Sequence, residues 1–221
     1  MRYKKPEKPI IIAVDGPAAS GKGTLSHNLA DHFDYARLDT GLIYRALGLK
    51  IIDNGGDPGD KNIAILIAKN FTLNDMKKEN LRSEIAAAAA SKIAVIPEVR
   101  QILLQLQRTF AAAPPEGKPG AVLDGRDIGS VVCPHADFKF FLLADTEIRA
   151  SRRFKELQER GSKAIHSRIL RDMKDRDARD MLRSIAPLKP VENAFILDTS
   201  YLSADDVFFA ALKYISAQNH N

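Results

Sequence analysis

The feature that most restricts the fold of this chain is a glycine-rich segment at residues 16–24. It reads Gly-Pro-Ala-Ala-Ser-Gly-Lys-Gly-Thr and fits the pattern G-x-x-x-x-G-K, with Gly-Thr following where many such segments carry Ser or Thr directly. The preceding residues 10–14 are apolar and β-branched, which predicts a buried strand, and residues 24–33 are predicted to form a helix. This order predicts a phosphate-binding loop rather than a flexible turn with a chance lysine.

The chemistry of such a loop rests on a few of its residues. Its glycines let backbone N–H groups turn towards phosphate oxygens, and the following helix presents its positive dipole end to them. Lys22 is predicted to reach between the β- and γ-phosphates of a nucleotide. The Thr24 hydroxyl is predicted to help place Mg²⁺. Because Gly23 stands where a hydroxyl is common, contact of Thr24 with the metal directly or through water stays open.

Apolar runs that predict further strands occur at residues 35–38, 121–124, 138–143 and 194–198. Helical patterns separate these runs. Strands that alternate with helices predict a parallel sheet, so we expect an α/β protein with a five-stranded sheet flanked by helices.

The stretch from residue 60 to residue 112 is predicted to be wholly or mostly helical. Asp60 and Ser83 stand at helix-capping positions, and Pro97 suits the first turn of a third helix. Ser203 and Asp206 have the spacing of a capping box, which predicts the start of the last helix.

Length and composition exclude several classes of protein. A chain of 221 residues suggests one core domain with insertions. The single cysteine, Cys133, forms no internal disulfide, is expected to be a packed side chain, and favours the reducing cytoplasm. No apolar run approaches the about 20 residues that span a bilayer, and none suits a secretory signal, so no membrane partner is expected. The histidines lack the spacing of a metal-ligand pair.

The net charge of +5 is unevenly distributed along the chain. Residues 149–183 contain twelve Lys or Arg and six Asp or Glu, a net charge of +6, and residues 1–8 add +3. The remaining residues are therefore net acidic. The basic helices carry interleaved acids, few aromatic residues and no Trp, whereas single-stranded nucleic acid needs aromatic stacking platforms. The pattern favours two small phosphorylated ligands and no nucleic-acid partner.

Three further stretches support a resemblance to a known family. They are Leu38-Asp-Thr-Gly-Leu-Ile-Tyr-Arg45, Asp124-Gly-Arg-Asp-Ile-Gly129, and Arg176-Asp-Ala-Arg-Asp-Met-Leu-Arg183 leading into Ala186-Pro187. Together with the Gly-Lys-Gly-Thr loop they resemble the bacterial cytidylate kinases, which are P-loop nucleoside monophosphate kinases. The resemblance covers almost the whole chain, from about Ile10 to the final helix.

The resemblance implies a single domain with the P-loop NTPase fold. Its core would comprise residues 9–39, 113–150 and 184–221, with a nucleotide-acceptor insertion at 40–112 and a small helical lid with its flanking helices at 151–183. Many family members carry extra short strands in the insertion, for which residues 71–82 leave little room here.

The activity implied by the resemblance is transfer of the γ-phosphate of ATP to CMP or dCMP, with Mg²⁺ as cofactor. The expected partners are these nucleotides, and nothing in the sequence demands more than a monomer. A P-loop kinase for another acceptor, such as UMP, is the alternative within the class. A nucleic-acid-binding ATPase is the alternative outside it.

The resemblance also implies residue roles. ATP would be bound by Gly16, Pro17, Ala18, Ala19, Ser20, Gly21, Lys22, Gly23 and Thr24. The catalytic set would be Lys22, Arg126, Arg152, Arg153 and Arg183. The acceptor site would contain Thr40, Arg45, Ser91, Arg100, Arg126, Asp127, Arg176, Asp180 and Arg183.

Within that acceptor site, Arg45, Arg126 and Arg183 would hold phosphate oxygens, which guanidinium groups grip in pairs. The alternative for Arg45 and Arg126 is a surface ion pair. Arg152 and Arg153 match the lid, where they would fold over the transferring phosphoryl group. Arg176 and Asp180 match sugar-binding positions or form an ordinary helix ion pair.

Ser91, Arg100 and Asp127 match the residues that read cytosine in the family. A carboxylate accepts from the amino group of cytosine, and arginine and hydroxyl donors satisfy its ring nitrogen and carbonyl. Uracil would place a carbonyl against Asp127. The alternatives are a packed or surface Ser91, an exposed Arg100 and an Asp127 that only caps a turn.

The roles of two carboxylates near the loop are left open by the sequence. Asp124 ends a predicted buried strand, where P-loop proteins keep a carboxylate on the magnesium side, or it hydrogen-bonds the backbone of the loop. Asp15 directly precedes the loop and receives no role from the sequence.

Overall fold

The computed structural model describes residues 8–218. Residues 1–7, which carry most of the basic segment, and the last three residues of the predicted core, including His220, lie outside the described part.

The strands are β1 (Ile10–Asp15), β2 (Ala36–Asp39), β3 (Gly120–Gly125), β4 (Phe138–Leu143) and β5 (Phe195–Asp198). They form one parallel sheet in the order β2-β3-β1-β4-β5. β1 is central and its last four residues are buried, as expected of a strand covered on both faces. This sheet confirms the predicted fold class and places the loop that follows β1 at the middle of the sheet's carboxyl edge.

The helices are α1 (Lys22–Phe33), α2 (Thr40–Asp53), α3 (Lys61–Ala68), α4 (Glu84–Ile93), α5 (Pro97–Ala112), α6 (Thr146–Glu159), α7 (His166–Leu182) and α8 (Ala204–Gln218). Their starts confirm the predicted signals. Asp60 and Ser83 accept backbone N–H groups as N-caps, Pro97 opens α5, and Ser203 and Asp206 form a reciprocal capping box. None of the described helices combines the length and apolar character that crossing a bilayer requires.

Helices α2 to α5, called here the insertion helices, pack beside β2 and β3 with a core of their own. The axes of α2 and α4 approach closely at Gly48, where a Cβ atom would lie 2.6 Å from the Cβ of Ala89. Residues 71–82 contain no strand, only a short 3₁₀ turn at Leu73–Lys77. The predicted lack of room for extra strands is therefore confirmed.

Helices α6 and α7 are called here the lid helices. They pack against each other through Ala150, Leu157, Ile169 and Met173, and this small cluster also touches Ala18 and Ala19 of the glycine-rich loop. The lid therefore rests directly on the predicted phosphate loop.

Two local features differ from expectation. Helix α1 begins at Lys22, two residues earlier than predicted, because Gly21 adopts a left-handed conformation with φ of 87° and ends the loop there. One turn of π-helix at Ile128–Val132 follows Asp127 and was not predicted. Cys133, at the end of that turn, is buried in the core, as expected, and burial raises the pKa of its thiol to about 11.

Candidate active site

A cavity of about 670 Å³ lies at the carboxyl edge of the sheet, between the insertion helices and the lid helices. This is the usual ligand position in a parallel α/β sheet. Most residues that the sequence singled out line it together. They are Ala18, Ala19, Lys22, Gly23, Thr40, Arg45, Ser91, Arg100, Arg126, Asp127, Arg153, Arg176, Asp180 and Arg183.

A second cavity, of about 300 Å³, is lined by the remaining exposed residues of the loop. Gly21, Thr24 and Arg152 line it, and Ala19 borders both cavities. Thr24 and Arg152 therefore lie apart from the residues of the larger cavity. Gly16, Pro17 and Ser20 line neither cavity and are buried within the loop.

The conformation of the loop requires glycine at position 16 and fixes the Lys22 side chain by a hydrogen bond. Gly16 has φ of 151°, and a Cβ atom there would lie 2.4 Å from the carbonyl oxygen of Leu142. Lys22 Nζ is buried and donates to the carbonyl oxygen of Pro17 at 2.9 Å. Burial, reinforced by the nearby Arg126 guanidinium, lowers the pKa of Lys22 to about 7. The loop thus holds an amine whose charge is opposed by its surroundings.

Arginines surround this lysine and oppose one another. Burial lowers the pKa of Arg176 to about 9, with Arg126 as the next contributor. Burial also lowers the pKa of Arg45 to about 10, with Arg153 next. Part-buried cations that depress each other's pKa in this way form a site prepared for an anion of high charge.

Arg45 and Arg126 each have a partner within the site. Arg45 donates to the carbonyl oxygens of Leu81 and Ser83 at 3.1 and 3.3 Å, so it is not in a surface ion pair. Arg126 Nε lies 2.9 Å from a carboxylate oxygen of Asp180, and both side chains are only 14% exposed. The interpretation of Arg126 as a surface arginine is therefore also wrong.

In the lid, Arg153 pairs with Glu84 of α4 and lies 2.7 Å from Glu156. Arg152 donates to the hydroxyl of Thr199 at 3.1 Å. The two neighbouring arginines therefore serve different cavities, because they project from α6 in different directions.

A buried charged cluster closes one end of the larger cavity. Asp127 pairs with Arg100, and Arg183 Nη2 lies 3.6 Å from the other oxygen of the same carboxylate. The three side chains are at most 11% exposed. Asp127 makes no capping hydrogen bond to the turn that follows it. The alternatives of an exposed Arg100 and an Asp127 that only caps a turn are therefore wrong.

This cluster has unused hydrogen-bonding capacity. Arg183 Nη2 is buried and has no hydrogen-bond partner within the described residues 8–218. Ser91 of α4 lines the same cavity. Tyr44 of α2 lines it too, and its ring lies 5.8 Å from the Arg100 guanidinium. A carboxylate, two guanidinium groups and a hydroxyl can together accept from and donate to the edge of a nucleobase.

Asp180 does not form the helix ion pair that its spacing from Arg176 suggested. Its carboxylate accepts from Arg126 of a different element instead. Burial alone would raise the pKa of Asp180, but Arg126 and Arg176 together hold it below its usual range. Asp180 therefore links α7 to the end of β3 inside the site.

Asp124 has a partner that the sequence did not indicate. Its carboxylate accepts from Arg37 of β2 at 3.2 Å, so the interpretation that it hydrogen-bonds the loop backbone is wrong. Asp39 lies beside it in the register of β2 and β3. Burial, with Asp39 as the next contributor, raises the pKa of Asp124. Asp39 was missed, although it directly follows a predicted strand, residues 35–38, and another predicted strand ends at Asp124.

Two further contacts of the site were also missed. Asp15 accepts backbone N–H groups from the turn after Asp127. Arg149 of α6 pairs with Asp177 of α7 at 2.7 Å, and it donates to the carbonyl oxygen of Ala18 at 3.3 Å. Arg149 thus ties both lid helices to the phosphate loop.

A glycine-rich loop at the centre of a parallel sheet, a cation-lined cavity and a helical lid define this protein as a P-loop kinase. The family model for cytidylate kinase matches residues 12–217, and the chain belongs to that family. The resemblance stated from its motifs is thereby confirmed.

Curated relatives are similar to this chain in sequence over nearly their full length. The chain is 54% identical over 208 residues to the cytidylate kinase of Paramagnetospirillum magneticum, covering 94% of this chain and 98% of that one. It is 48% identical over 207 residues to the cytidylate kinase of Rhodospirillum rubrum, covering 94% and 97%. A solved structure of an uncharacterized protein from Eubacterium ventriosum superposes with a TM-score of 0.53 at 16% identity, covering 94% and 98%, and supports the fold alone.

Proposed function

We propose that this protein transfers the γ-phosphate of ATP to CMP or dCMP, giving ADP and CDP or dCDP. The observation that carries the proposal is the excess of buried positive charge around Lys22, where burial and neighbouring cations lower the pKa of Lys22, Arg45 and Arg176. Two phosphorylated ligands brought together there would supply the missing negative charge.

The attacking group in this reaction is a phosphate oxygen that is already anionic at neutral pH, so no general base is needed. What opposes the reaction is the repulsion between two polyanions. The protein's task is alignment and charge neutralisation. Lys22, Arg126 and Arg153 would contact the transferring group, and Arg45 would hold the acceptor phosphate. Arg183, which was predicted to bind phosphate, faces Asp127 instead and would lie at the base.

The acceptor nucleotide would lie with its base against the buried cluster. Asp127 would accept from the amino group of cytosine, and Arg100, Arg183 and Ser91 would donate to its ring nitrogen and carbonyl. Arg176 and Asp180 would hold the sugar, and Thr40 lines the same cavity nearby. Arg126 would have to exchange Asp180 for phosphate oxygens as the site fills.

ATP would follow the phosphate loop from the larger cavity into the smaller one. The smaller cavity, with Thr24, Arg152 and Leu202, would take the nucleoside end of ATP. Arg153 would exchange Glu84 and Glu156 for the γ-phosphate when the lid closes, and closure would exclude water that could hydrolyse ATP.

The residues present fit Mg²⁺ as the cofactor. Asp39 and Asp124 offer adjacent carboxylates, and burial together with the Asp39 charge raises the pKa of Asp124, so a cation beside the pair would stabilise their ionised form. No group of three or more His, Cys, Asp or Glu suited to a metal occurs within residues 8–218. The phosphates of ATP would therefore supply much of the ligand set, and Asp39 and Asp124 would supply carboxylate oxygens. Thr24, which was predicted to help place Mg²⁺, lines the smaller cavity, apart from these two carboxylates. Mg²⁺ would neutralise charge on the transferring phosphates.

Three points remain to be measured: the acceptor nucleotide, binding of nucleic acid, and the oligomeric state. An ADP-release assay with CMP, dCMP, UMP and AMP as acceptors tests the substrate, and turnover with UMP above that with CMP would replace the proposed acceptor. Salt-sensitive binding of RNA or DNA without phosphotransfer to CMP would favour a nucleic-acid-dependent ATPase. We further propose that the protein acts as a monomer in the cytoplasm, which sedimentation and fractionation test.

Replacing Asp127 with alanine is expected to lower the ratio of kcat/KM for CMP over UMP by roughly two orders of magnitude, because the partner of the cytosine amino group is lost. Asp127→Asn should move the preference further towards UMP, since its amide can donate to the uracil carbonyl. The KM for ATP serves as the internal control and should stay constant. An unchanged ratio in both folded variants would remove Asp127 from base reading.

Binding of ATP at pH 8 is expected to take up protons. Burial lowers the pKa of Lys22 to about 7, so the amine is largely neutral at that pH. An adjacent triphosphate favours the ammonium form and raises this pKa, so the complex holds more protons than the free protein. Calorimetry in two buffers with different ionisation enthalpies measures the uptake. The Lys22→Met variant should lose it, and an equal uptake in that variant would contradict the assignment.

A further inference from the structure

Asp15 is a buried carboxylate for which the proposed chemistry has no use. It ends β1, directly before the phosphate loop, and is 6% exposed. One of its oxygens accepts the N–H of Ile128 and the other accepts the N–H of Gly129, each at 2.8 Å. These are the first two N–H groups of the turn Ile128–Val132, and such groups have no partner inside a helical turn. Asp15 therefore caps a turn that lies more than 100 residues further along the chain.

The residue that would ordinarily cap this turn is Asp127. It stands at the N-cap position, where aspartate is among the most favoured residues because its side chain accepts the first free N–H groups. Its side chain nevertheless makes no such bond. The Asp127 carboxylate faces Arg100 and Arg183 instead. Because Asp15 already accepts the N–H groups of Ile128 and Gly129, the Asp127 carboxylate is not needed to bond them.

Charge acts in the same direction. Burial, opposed by the two N–H bonds, raises the pKa of Asp15 to about 6, and the neighbouring Asp127 adds to this rise. At neutral pH Asp15 is thus ionised and both of its oxygens accept. The two carboxylates then repel each other, which favours the orientation of Asp127 towards the guanidinium groups.

We propose that Asp15 is a positioning residue for base selection, because its cap on the turn at 128–132 keeps the Asp127 carboxylate directed at the base of the acceptor. This inference rests on the proposed function, in which Asp127 reads cytosine. Without the Asp15 carboxylate, the N–H groups of Ile128 and Gly129 need another acceptor, and Asp127 is the carboxylate nearest to them in sequence.

The test compares Asp15→Asn, which keeps the shape and one acceptor, with Asp15→Ala, which keeps neither. In both, the ratio of kcat/KM for CMP over UMP should fall about tenfold or more, mainly through a higher KM for CMP. The KM for ATP should stay close to that of the wild type, because Asp15 bonds the turn after Asp127 and lines neither the larger nor the smaller cavity. In the Asp127→Ala background, Asp15→Asn should change the ratio by less than about twofold, because the side chain that it positions is absent.

Asp60→Asn is the matched control. Asp60 also accepts two backbone N–H groups, those of Asn62 and Ile63 at 2.8 and 3.1 Å, but it caps α3 outside the site. This variant should leave the ratio unchanged. A wild-type ratio in whichever Asp15 variant thermal unfolding shows to be folded would overturn the proposal. An equal loss with and without Asp127 would overturn it as well, since it would show a general structural effect. A wild-type protein that does not phosphorylate CMP would instead contradict the proposed function itself.

Discussion

The Lys22→Met variant is expected to lose roughly 10²- to 10³-fold in kcat, the loss that follows removal of one preorganised donor to a developing charge. Lys22 Nζ is held inside the loop by its hydrogen bond to the Pro17 carbonyl oxygen, and it lines the larger cavity. Stability should change little, because burial opposes the charge of this amine and methionine fills a similar volume without one. Steady-state kinetics and thermal unfolding of the same preparation measure both effects.

A second buried lysine provides the control for Lys22. Lys139 of β4 also donates to a backbone carbonyl, that of Pro134 at 2.6 Å, and it lines neither the larger nor the smaller cavity. Lys139→Met should therefore cost stability, because Asn193 and Pro134 lose a donor, while kcat stays within a few-fold of wild type. Near-wild-type turnover in Lys22→Met would remove this lysine from the transition state.

The fold was largely predictable because its signals are local. Central parallel strands are buried on both faces and read as short apolar runs, so each strand end was located to within one residue. The caps at Asp60 and Ser83 follow from hydrogen bonds between residues two or three positions apart. The π-helical turn at Ile128–Val132 gave no such signal, because the carboxylate that caps it belongs to another strand.

The cavity's residues were predictable from motifs, but their pairing was not. Spacing along α7 favours Arg176 as the partner of Asp180, whereas the fold brings Arg126 from the end of β3 to it. The neighbouring positions of Asp39 and Asp124 depend on the register of β2 against β3. The contact of Asp15 with the turn after Asp127 depends on both the sheet order and that turn. Motifs name residue types at a site, and tertiary contacts decide which side chain holds which.

Replacing Arg126 with alanine is expected to cost roughly 10³- to 10⁵-fold in kcat, the range measured for arginines that stabilise phosphoryl transfer. Arg126 is the cation that links the cluster, since its charge contributes to the lowered pKa of Lys22, Arg176 and Arg45. Its guanidinium also holds Asp180. Arg126→Lys should recover only part of the rate, because an ammonium keeps the charge but loses the paired contacts of the guanidinium fork.

The Arg126→Ala variant also leaves Asp180 without its partner, and this must be separated from the lost phosphate contact. In Arg126→Ala/Asp180→Asn the orphaned charge is removed, so a rate that returns towards that of Asp180→Asn alone would show that the defect came from Asp180. We expect no such return, because the reaction still lacks the cation. Arg108→Ala is the matched control. Its guanidinium donates to the carbonyl oxygens of Val131 and Val132 from outside the larger cavity. Its removal therefore perturbs the turn Ile128–Val132, which begins two residues after Arg126, without removing a cation from the cavity. A comparable loss of kcat in Arg108→Ala would mean that the turn, and not the charge of Arg126, limits the rate.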